Sequence, residues 1–259
     1  MHLFLSPHLD DAVFSCGATI RRLTANRQSV LIVSVTAGDP PDPLPDNDAV
    51  RELHGRWAVG TNPSLARRSE DINAARLVGA TVYHLPFHDC IYRTDKDGKP
   101  LYRHADLFGS VHPEDQLLDG LLDTSLPAQV TESADVTLYI PLGVGGHVDH
   151  QITRDWGLAL KEKYPAWKVR FYEEYPYSGD EMATERALEF FMWNDIRLDS
   201  QIFWVSETEV DAKIQAIACY NSQISTFWKS ENEMAIAIRQ AMLRAGRTVL
   251  AERYWHESD

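Results

Sequence analysis

Two short turns constrain the fold of this chain more than any other feature. Pro7-His8-Leu9-Asp10-Asp11 follows the apolar run Leu3 to Ser6 and leads into Ala12 to Ile20, whose length and apolar spacing suit a helix opening at the aspartates. His147-Val148-Asp149-His150 follows the strand-like run Asp135 to Leu142 and the glycine-rich loop Gly143 to Gly146, and leads into the amphipathic segment Gln151 to Lys163. Each is a strand-to-helix turn. In an open α/β sheet, ligands sit at the carboxyl ends of parallel strands, near the point where strand order reverses, so the two turns can face each other across one crevice.

The rest of the chain alternates in the same way. Strands are predicted at 2–6, 29–36, 81–85, 135–141, 168–173 and 201–206, with helices near 12–26, 64–79, 149–163, 182–193, 208–223 and 231–245. This predicts an α/β, Rossmann-like, doubly wound and mostly parallel sheet with right-handed crossovers. At 259 residues and 44% hydrophobic content, one domain spanning residues 1–259 is the economical reading. Two segments break the alternation: Asp39 to Pro63, rich in Pro, Asp and Asn, and Pro86 to Pro113, which mixes Tyr, Arg, His and Asp. Long loops of this kind are read as the substrate-facing rim, with Trp57, Tyr92 and Tyr102 as candidate sugar-stacking rings.

Imidazole and carboxylate are ordinary Zn²⁺ ligands, and a catalytic zinc keeps three protein ligands with the remaining position for water or substrate. His8, Asp11 and His150 supply that set. Fe²⁺ or another divalent metal would accept the same donors. Asp10, beside a ligand and free of the metal, is the candidate general base for water activated there. His147 is left to stabilise a developing oxyanion or protonate a leaving amine, with Asp149 holding its ring. No Gly-x-Ser-x-Gly elbow is present, and the three cysteines, Cys16, Cys90 and Cys219, carry no motif for a thiol nucleophile. Water is therefore the nucleophile, and the reaction class is metal-assisted hydrolysis.

At these residues the chain resembles a known family. The first turn is similar to the Pro/Ala-His-Pro-Asp-Asp signature of the PIG-L/LmbE-like zinc de-N-acetylases, and the second to their His-Pro-Asp-His signature. Arg68-Ser69-Glu70-Asp71, followed by Leu77-Val78-Gly79-Ala80, is similar to the family's Arg-x-Glu helix. Tyr220 to Gln223 resembles a late helix carrying a Ser-Gln pair. Roughly the first 160 residues match in order, and the part from about residue 165 matches loosely. The resemblance implies zinc held by His8, Asp11 and His150, Asp10 as base, His147 assisting the tetrahedral intermediate, and removal of an N-acyl, usually N-acetyl, group from a glucosamine-type conjugate. It also places Arg68 at the site rim. Leu9 and Val148 replace the usual motif prolines, which alters turn stiffness. Gly145 stands where some members carry a tyrosine credited with oxyanion contact, leaving that donor unnamed.

Blander readings exist for each residue. An Asp-Asp pair after a strand can be a plain helix N-cap. Gly143, Gly145 and Gly146 are read as turn residues, since no phosphate-loop pattern accompanies them. His84, His88, His104 and His112 are read as surface or hydrogen-bonded histidines. Asp39 and Asp89 follow predicted strands on the crevice side and are candidate sugar-hydroxyl ligands. Two alternative functions share these features: a non-heme Fe(II) oxygenase, disfavoured because those sit on jelly rolls, and a non-catalytic sugar- or nucleotide-binding module.

The net charge of −13 opposes association with nucleic acid or anionic membrane. The first motif begins within eight residues of Met1 and no stretch approaches the roughly 20 apolar residues of a membrane helix, so neither a signal segment nor membrane insertion is expected. Three scattered cysteines fit a reducing cytoplasm. A homo-oligomer is the default expectation for assembly.

Overall fold

A computed structural model describes residues 1–57 and 62–258. Five strands form the parallel part of the sheet: β1 (His2–Ser6), β2 (Val30–Ser34), β3 (Thr81–His84), β4 (Thr137–Pro141) and β5 (Lys168–Tyr172). β2 and β4 read Val-Leu-Ile-Val-Ser and Thr-Leu-Tyr-Ile-Pro and are buried along their whole length, as expected for parallel strands covered on both faces. Two further strands, β6 (Leu198–Trp204) and β7 (Ala251–Glu257), complete the order β3-β2-β1-β4-β5-β7-β6, with β7 antiparallel to both neighbours.

The alternation of side chains sends each strand into two cores. On one face Phe4, Ile32 and Tyr139 pack under α1 (Asp11–Ala25), α3 (Pro63–Val78), α8 (Glu207–Ile217) and α10 (Glu231–Ala245). On the other, Leu3, Leu5, Val33 and Ile140 pack under α4 (Leu117–Leu122), α6 (Val148–Lys163) and α7 (Glu181–Trp193). The chain runs outward from β1 through β2 to β3, then returns to the other side of β1 as β4. The order reverses between β1 and β4, so the crevice at their carboxyl ends receives both signature turns.

Several expectations needed correction. The segment 39–63 contains α2 (Asp48–Trp57), whose Ala49, Val50 and Trp57 are buried. Their helical spacing was masked by the Pro-, Asp- and Asn-rich lead. The segment after β3 is tied down by 3₁₀ turns at Cys90–Tyr92 and His104–Asp106 before α4 and the short α5 (Ala128–Thr131). The helix expected over 208–223 ends at Ile217 and resumes as α9 (Asn221–Phe227), because Tyr220 turns inward and donates its hydroxyl to Asp71 Oδ1 at 2.7 Å. β7 was not expected at all: Ala-Glu-Arg-Tyr-Trp-His-Glu carries too many charges to read as a strand, and only pairing with β5 and β6 makes it one.

One buried ion pair fastens the later elements to α1. Lys213 Nζ, on α8, lies 2.7 Å from Glu252 Oε1 on β7 and donates to the Ser15 carbonyl at 2.9 Å. The same carboxylate accepts the N–H groups of Ala18 and Thr19. Gly17 lets the lysine stem pass, since a Cβ there would fall 2.9 Å from Lys213 Cγ. Lys213→Met strands a buried carboxylate and is expected to cost about 3–5 kcal/mol, seen as a lower urea midpoint at unchanged slope. A loss under about 1 kcal/mol, the scale of an exposed pair, would show that this contact does not fasten the two halves.

Candidate metal centre

Ser6, the last residue of β1, donates its hydroxyl to the His8 carbonyl at 2.6 Å and accepts the Ala12 N–H at 3.0 Å, which fixes the turn between strand and helix. Inside that turn the His8 N–H donates to Asp11 Oδ2 at 2.8 Å. Asp10 occupies the cap position of α1, yet its side chain makes no cap hydrogen bond. Its Oδ2 instead faces Arg67 Nη2 at 3.6 Å across the crevice. The helix-cap explanation of this aspartate fails, and its carboxylate is left free toward the cavity.

At the end of β4 the glycine loop closes around a carboxylate. Gly143 N–H and Val144 N–H donate to Glu174 Oε1 and Oε2 at 2.7 and 3.0 Å. The loop is a turn, as expected, and its Gly143, Val144 and Gly146 N–H groups are spent on protein. His147 caps α6, its Nδ1 accepting the Asp149 N–H at 3.2 Å. That bond leaves the ring proton of a neutral His147 on Nε2.

The two turns bring three imidazoles together, with ring centroids 4.8 Å apart for His8 and His147 and 5.3 Å apart for the other two pairs. One carboxylate oxygen joins two of them: Asp11 Oδ2 lies 3.0 Å from His8 Nδ1 and 3.3 Å from His150 Nε2. Those separations match the roughly 3.3 Å between neighbouring N and O ligands around a tetrahedral zinc. His150 Nε2 is buried without a hydrogen-bond partner, while its Nδ1 lies 3.2 Å from Glu174 Oε1. An imidazole held by a carboxylate at one nitrogen and bare at the other is the usual arrangement of a metal-binding histidine. The donor chemistry of His8, Asp11 and His150 therefore suits a divalent cation, with both edges from Asp11 at ligand spacing. The His147 ring lies close enough to join His8 and His150, all three offering nitrogens within 4.8 Å of one another.

The charge states follow from this crowding. Burial alone would lift the Asp11 carboxyl, but His150 and His8 hold it well below the usual range. Burial alone would likewise lower the two imidazoles, and the facing carboxylates overcome it: His8 is raised well above its ordinary value and His150 to about 9. Asp10 is raised to about 6 by burial and by the charge of Asp11. Burial and the positive His8 push His147 well below its ordinary value, so it is neutral.

Asp149 is placed differently from the expectation. Its carboxylate does not hold His147; Oδ2 lies 3.1 Å from His8 Nε2 and accepts the Cys90 N–H at 3.1 Å, while Oδ1 pairs with Arg93 Nη2 at 2.6 Å. As residue 2 of α6, its side chain points back over β1 rather than along its own turn. Arg68 also departs from the rim role: it donates to the Ala37 carbonyl and to Asp39 Oδ1, both at 2.7 Å, and neither Arg68 nor Asp39 lines the cavity. Arg67 lines it instead, stacked over Trp57 at 4.6 Å. Asp89 does line it, with Oδ2 4.0 Å from both His8 Nε2 and Arg67 Nη1. Of the three aromatic candidates only Trp57 lines this cavity, since Tyr92 and Tyr102 are buried with their hydroxyls against His54 and Asp115. His104, set aside with the other loop histidines, also lines it.

The cavity above the triad measures about 220 Å³, with Phe108, Tyr177 and Phe227 among its walls. A larger groove of about 1020 Å³, lined by residues such as Pro41, Leu44, Phe87 and Leu117, contains none of the six motif residues and is not the chemical site. Glu174, Arg93 and Tyr177 were missed from the sequence, and Arg68 was preferred there to its neighbour Arg67, which is the one that lines the cavity. Only Glu174 left a signal, as a carboxylate immediately after the strand predicted at 168–173. Tyr177 stands where a side chain at Gly145 would go: a Cβ there would lie 2.8 Å from Tyr177 Cγ.

Comparison with known proteins identifies the family and the fold. Residues 3–161 match the family described as PIG-L, GlcNAc-PI de-N-acetylase. The 2'-N-acetylparomamine deacetylase of Niallia circulans is 30% identical over 254 residues, covering 90% of this chain and 84% of that protein. The enzyme of that description from Streptomyces fradiae is 28% identical over 190 residues, covering 72% of this chain and 61% of that protein. The solved structure of a zinc-inhibited form of teicoplanin deacetylase Orf2 superposes with a TM-score of 0.79 at 25% identity, covering 100% of this chain and 98% of that one.

Metal uptake should release protons. Metal binds the neutral imidazole, and with His150 raised to about 9 and His8 also raised, both rings are protonated at pH 7 in the metal-free chain. Affinity is therefore expected to weaken as pH falls below about 9, and uptake at pH 7 should acidify a weakly buffered solution containing an indicator dye. Binding at neutral pH with no proton release would contradict this arrangement of charges.

Proposed function

This chain belongs to the PIG-L family of de-N-acetylases, and from that premise we propose that it hydrolyses the N-acetyl group of an amino-sugar glycoside at a zinc held by His8, Asp11 and His150. The observation that carries the reading is Asp11 Oδ2 set between two imidazole nitrogens, one of them buried and otherwise unpartnered. Two imidazoles and one carboxylate suit zinc, and Fe²⁺ accepts the same set. When bound, the ion supplies Lewis acidity toward the amide carbonyl and a water that ionises near neutral pH.

The chain's own residues supply the proton traffic. Asp10, raised to about 6 and free of any cap bond, is ionised at pH 7 and takes the proton of the attacking water. His147, neutral and with Nε2–H available, donates toward the oxygen that gains charge as water adds to the amide carbon. The proton collected by Asp10 then passes to the amine nitrogen as the C–N bond breaks, leaving acetate and a free amino sugar. Tyr177 provides the second oxyanion donor. Burial and the charges of Asp11 and Asp10 raise its hydroxyl, so it keeps its proton, and it lines the cavity beside His150.

The two curated relatives act on 2'-N-acetylparomamine and a structural neighbour on teicoplanin, both amino-sugar conjugates. The aromatic walls Trp57, Phe108 and Phe227 suit the apolar face of a sugar ring. No described helix is long and apolar enough to cross a membrane.

Acetate and primary amine should appear in equal amounts from N-acetylglucosamine-containing glycosides, and a chelator should abolish both. Amine release that persists after verified metal removal would refute the metal reading. Asp10→Asn is expected to keep its metal and lose about 10²- to 10⁴-fold in kcat. Tyr177→Phe should lose roughly 10²-fold in kcat with KM little changed, and a variant with full turnover would remove Tyr177 from the oxyanion role.

A further inference from the structure

The His8 ring is held from two sides, at Nδ1 by Asp11 of the helix that follows it, 3.0 Å away, and at Nε2 from elsewhere in the fold. Its Nε2 faces Asp149 Oδ2 at 3.1 Å, from α6. That carboxylate is fully buried, and what secures it comes from the segment after β3: the Cys90 N–H at 3.1 Å and Arg93 Nη2 at 2.6 Å from Oδ1. Arg93 Nη2 also lies 2.9 Å from Asp115 Oδ2, and Nη1 donates to the His88 carbonyl at 3.0 Å. Its guanidinium stands over the Tyr102 ring at 5.4 Å, and the Tyr102 hydroxyl donates to Asp115 Oδ2 at 2.6 Å. The Arg93 side chain is 9% exposed and both carboxylates are fully buried.

We propose that Arg93 is a positioning residue of the metal centre: by pinning Asp149 it fixes the ring of His8, and it thereby makes metal affinity depend on the packing of the segment from Asp89 to Asp115. The physical steps are short. An imidazole that ligates through Nδ1 carries its proton on Nε2, and a carboxylate there sets the ring plane and strengthens the ligand. Asp149 does this only while it stays ionised in a dry interior. Asp115 is a second buried carboxylate on the same guanidinium, so loss of the arginine would leave two like charges uncompensated. The arginine serves both, and its own alignment is set by charge rather than by ideal hydrogen bonds, since Nε and Nη2 make none of acceptable geometry. Arg93 touches neither the cavity nor the three proposed ligands, so it acts only through Asp149.

The inference rests on the reading of His8 as a metal ligand. Failure of that reading would appear as absence of stoichiometric zinc uptake by the unaltered chain; failure of this inference would appear as unaltered zinc uptake by the variant. Arg93→Met, prepared metal-free and shown folded by circular dichroism, is titrated with zinc in competition with a chromophoric chelator. Affinity is expected to fall about ten- to a hundredfold, with Arg93→Lys recovering part of it. At saturating zinc most of kcat should return and KM should stay at the unaltered value. Hydrogen exchange supplies the second measurement and needs no substitution. Zinc added to the unaltered chain should slow exchange of amides between Cys90 and Asp115, and this decides the matter if Arg93→Met does not fold. A folded Arg93→Met protein with unaltered zinc affinity would overturn the proposal, as would zinc binding that leaves exchange in that segment unchanged.

Discussion

The pairing of β4 beside β1 is the constraint on which everything else depends. The chain leaves β1 in one direction, builds β2 and β3, and returns to the opposite side of β1, so His2 pairs with Thr137 and Phe4 with Tyr139. Carrying that register forward places the Pro7–Asp11 turn against the Gly143–His150 turn at the carboxyl edge. About 140 residues of sequence separation thus become a contact of 3.3 Å between Asp11 and His150. A sheet in which β4 added at the outer edge of β3 would separate the two turns by three strand spacings, roughly 14 Å, and no side-chain adjustment could reunite them.

Once the turns meet, charge has to be balanced in a confined volume. Asp10, Asp11, Asp149 and Glu174 are all buried within the centre, and His8, His150, Arg67 and Arg93 are the groups that compensate them. The compensation is unequal. Asp11 lies between two imidazoles and is held strongly ionised, whereas Asp10, buried beside the Asp11 charge and offset by Arg67 at 3.6 Å and the more distant His8, titrates near 6. Two adjacent aspartates on one turn thereby acquire different chemistry, one suited to bind a cation and the other to carry a proton. The difference arises from which way α1 starts: Asp11 accepts the His8 N–H and is drawn into the metal face, which leaves Asp10 outside it.

Much of this was legible before any coordinates. Period and length located β1 to β6 and most long helices: β1, β2 and β4, buried along nearly their whole length, read as unbroken apolar runs, and α1, α3 and α6 carry recognisable starts. The six motif residues were legible because their spacing is local to two turns. What failed to read was whatever depends on a distant partner. β7 is a strand only because β5 and β6 accept it. Asp149 looked like a companion of His147, two residues away, and serves His8 instead because the start of α6 faces β1 across the crevice. Arg67 and Arg68 are adjacent and chemically equivalent in sequence; only the rotation of α3 sends one over Trp57 into the cavity and the other outward to Asp39.

Gly145 and Tyr177 show why such compensation is invisible to a motif. In the sequence, Gly145 stood where a resembling family carries a tyrosine and left the oxyanion donor unnamed; in the structure its φ is positive. Yet a Cβ at that position would strike the Tyr177 ring at 2.8 Å, so the glycine is what admits an aromatic side chain arriving from beyond β5. The loop and the ring are further coupled through Glu174. That residue, three positions before Tyr177, accepts the Gly143 and Val144 N–H groups and faces His150 Nδ1. One short segment after β5 therefore shapes the glycine loop, orients the His150 imidazole and fills the space a side chain at Gly145 would take. A residue larger than glycine at 145 would have to displace Tyr177, and displacement of Tyr177 would shift the backbone that carries Glu174.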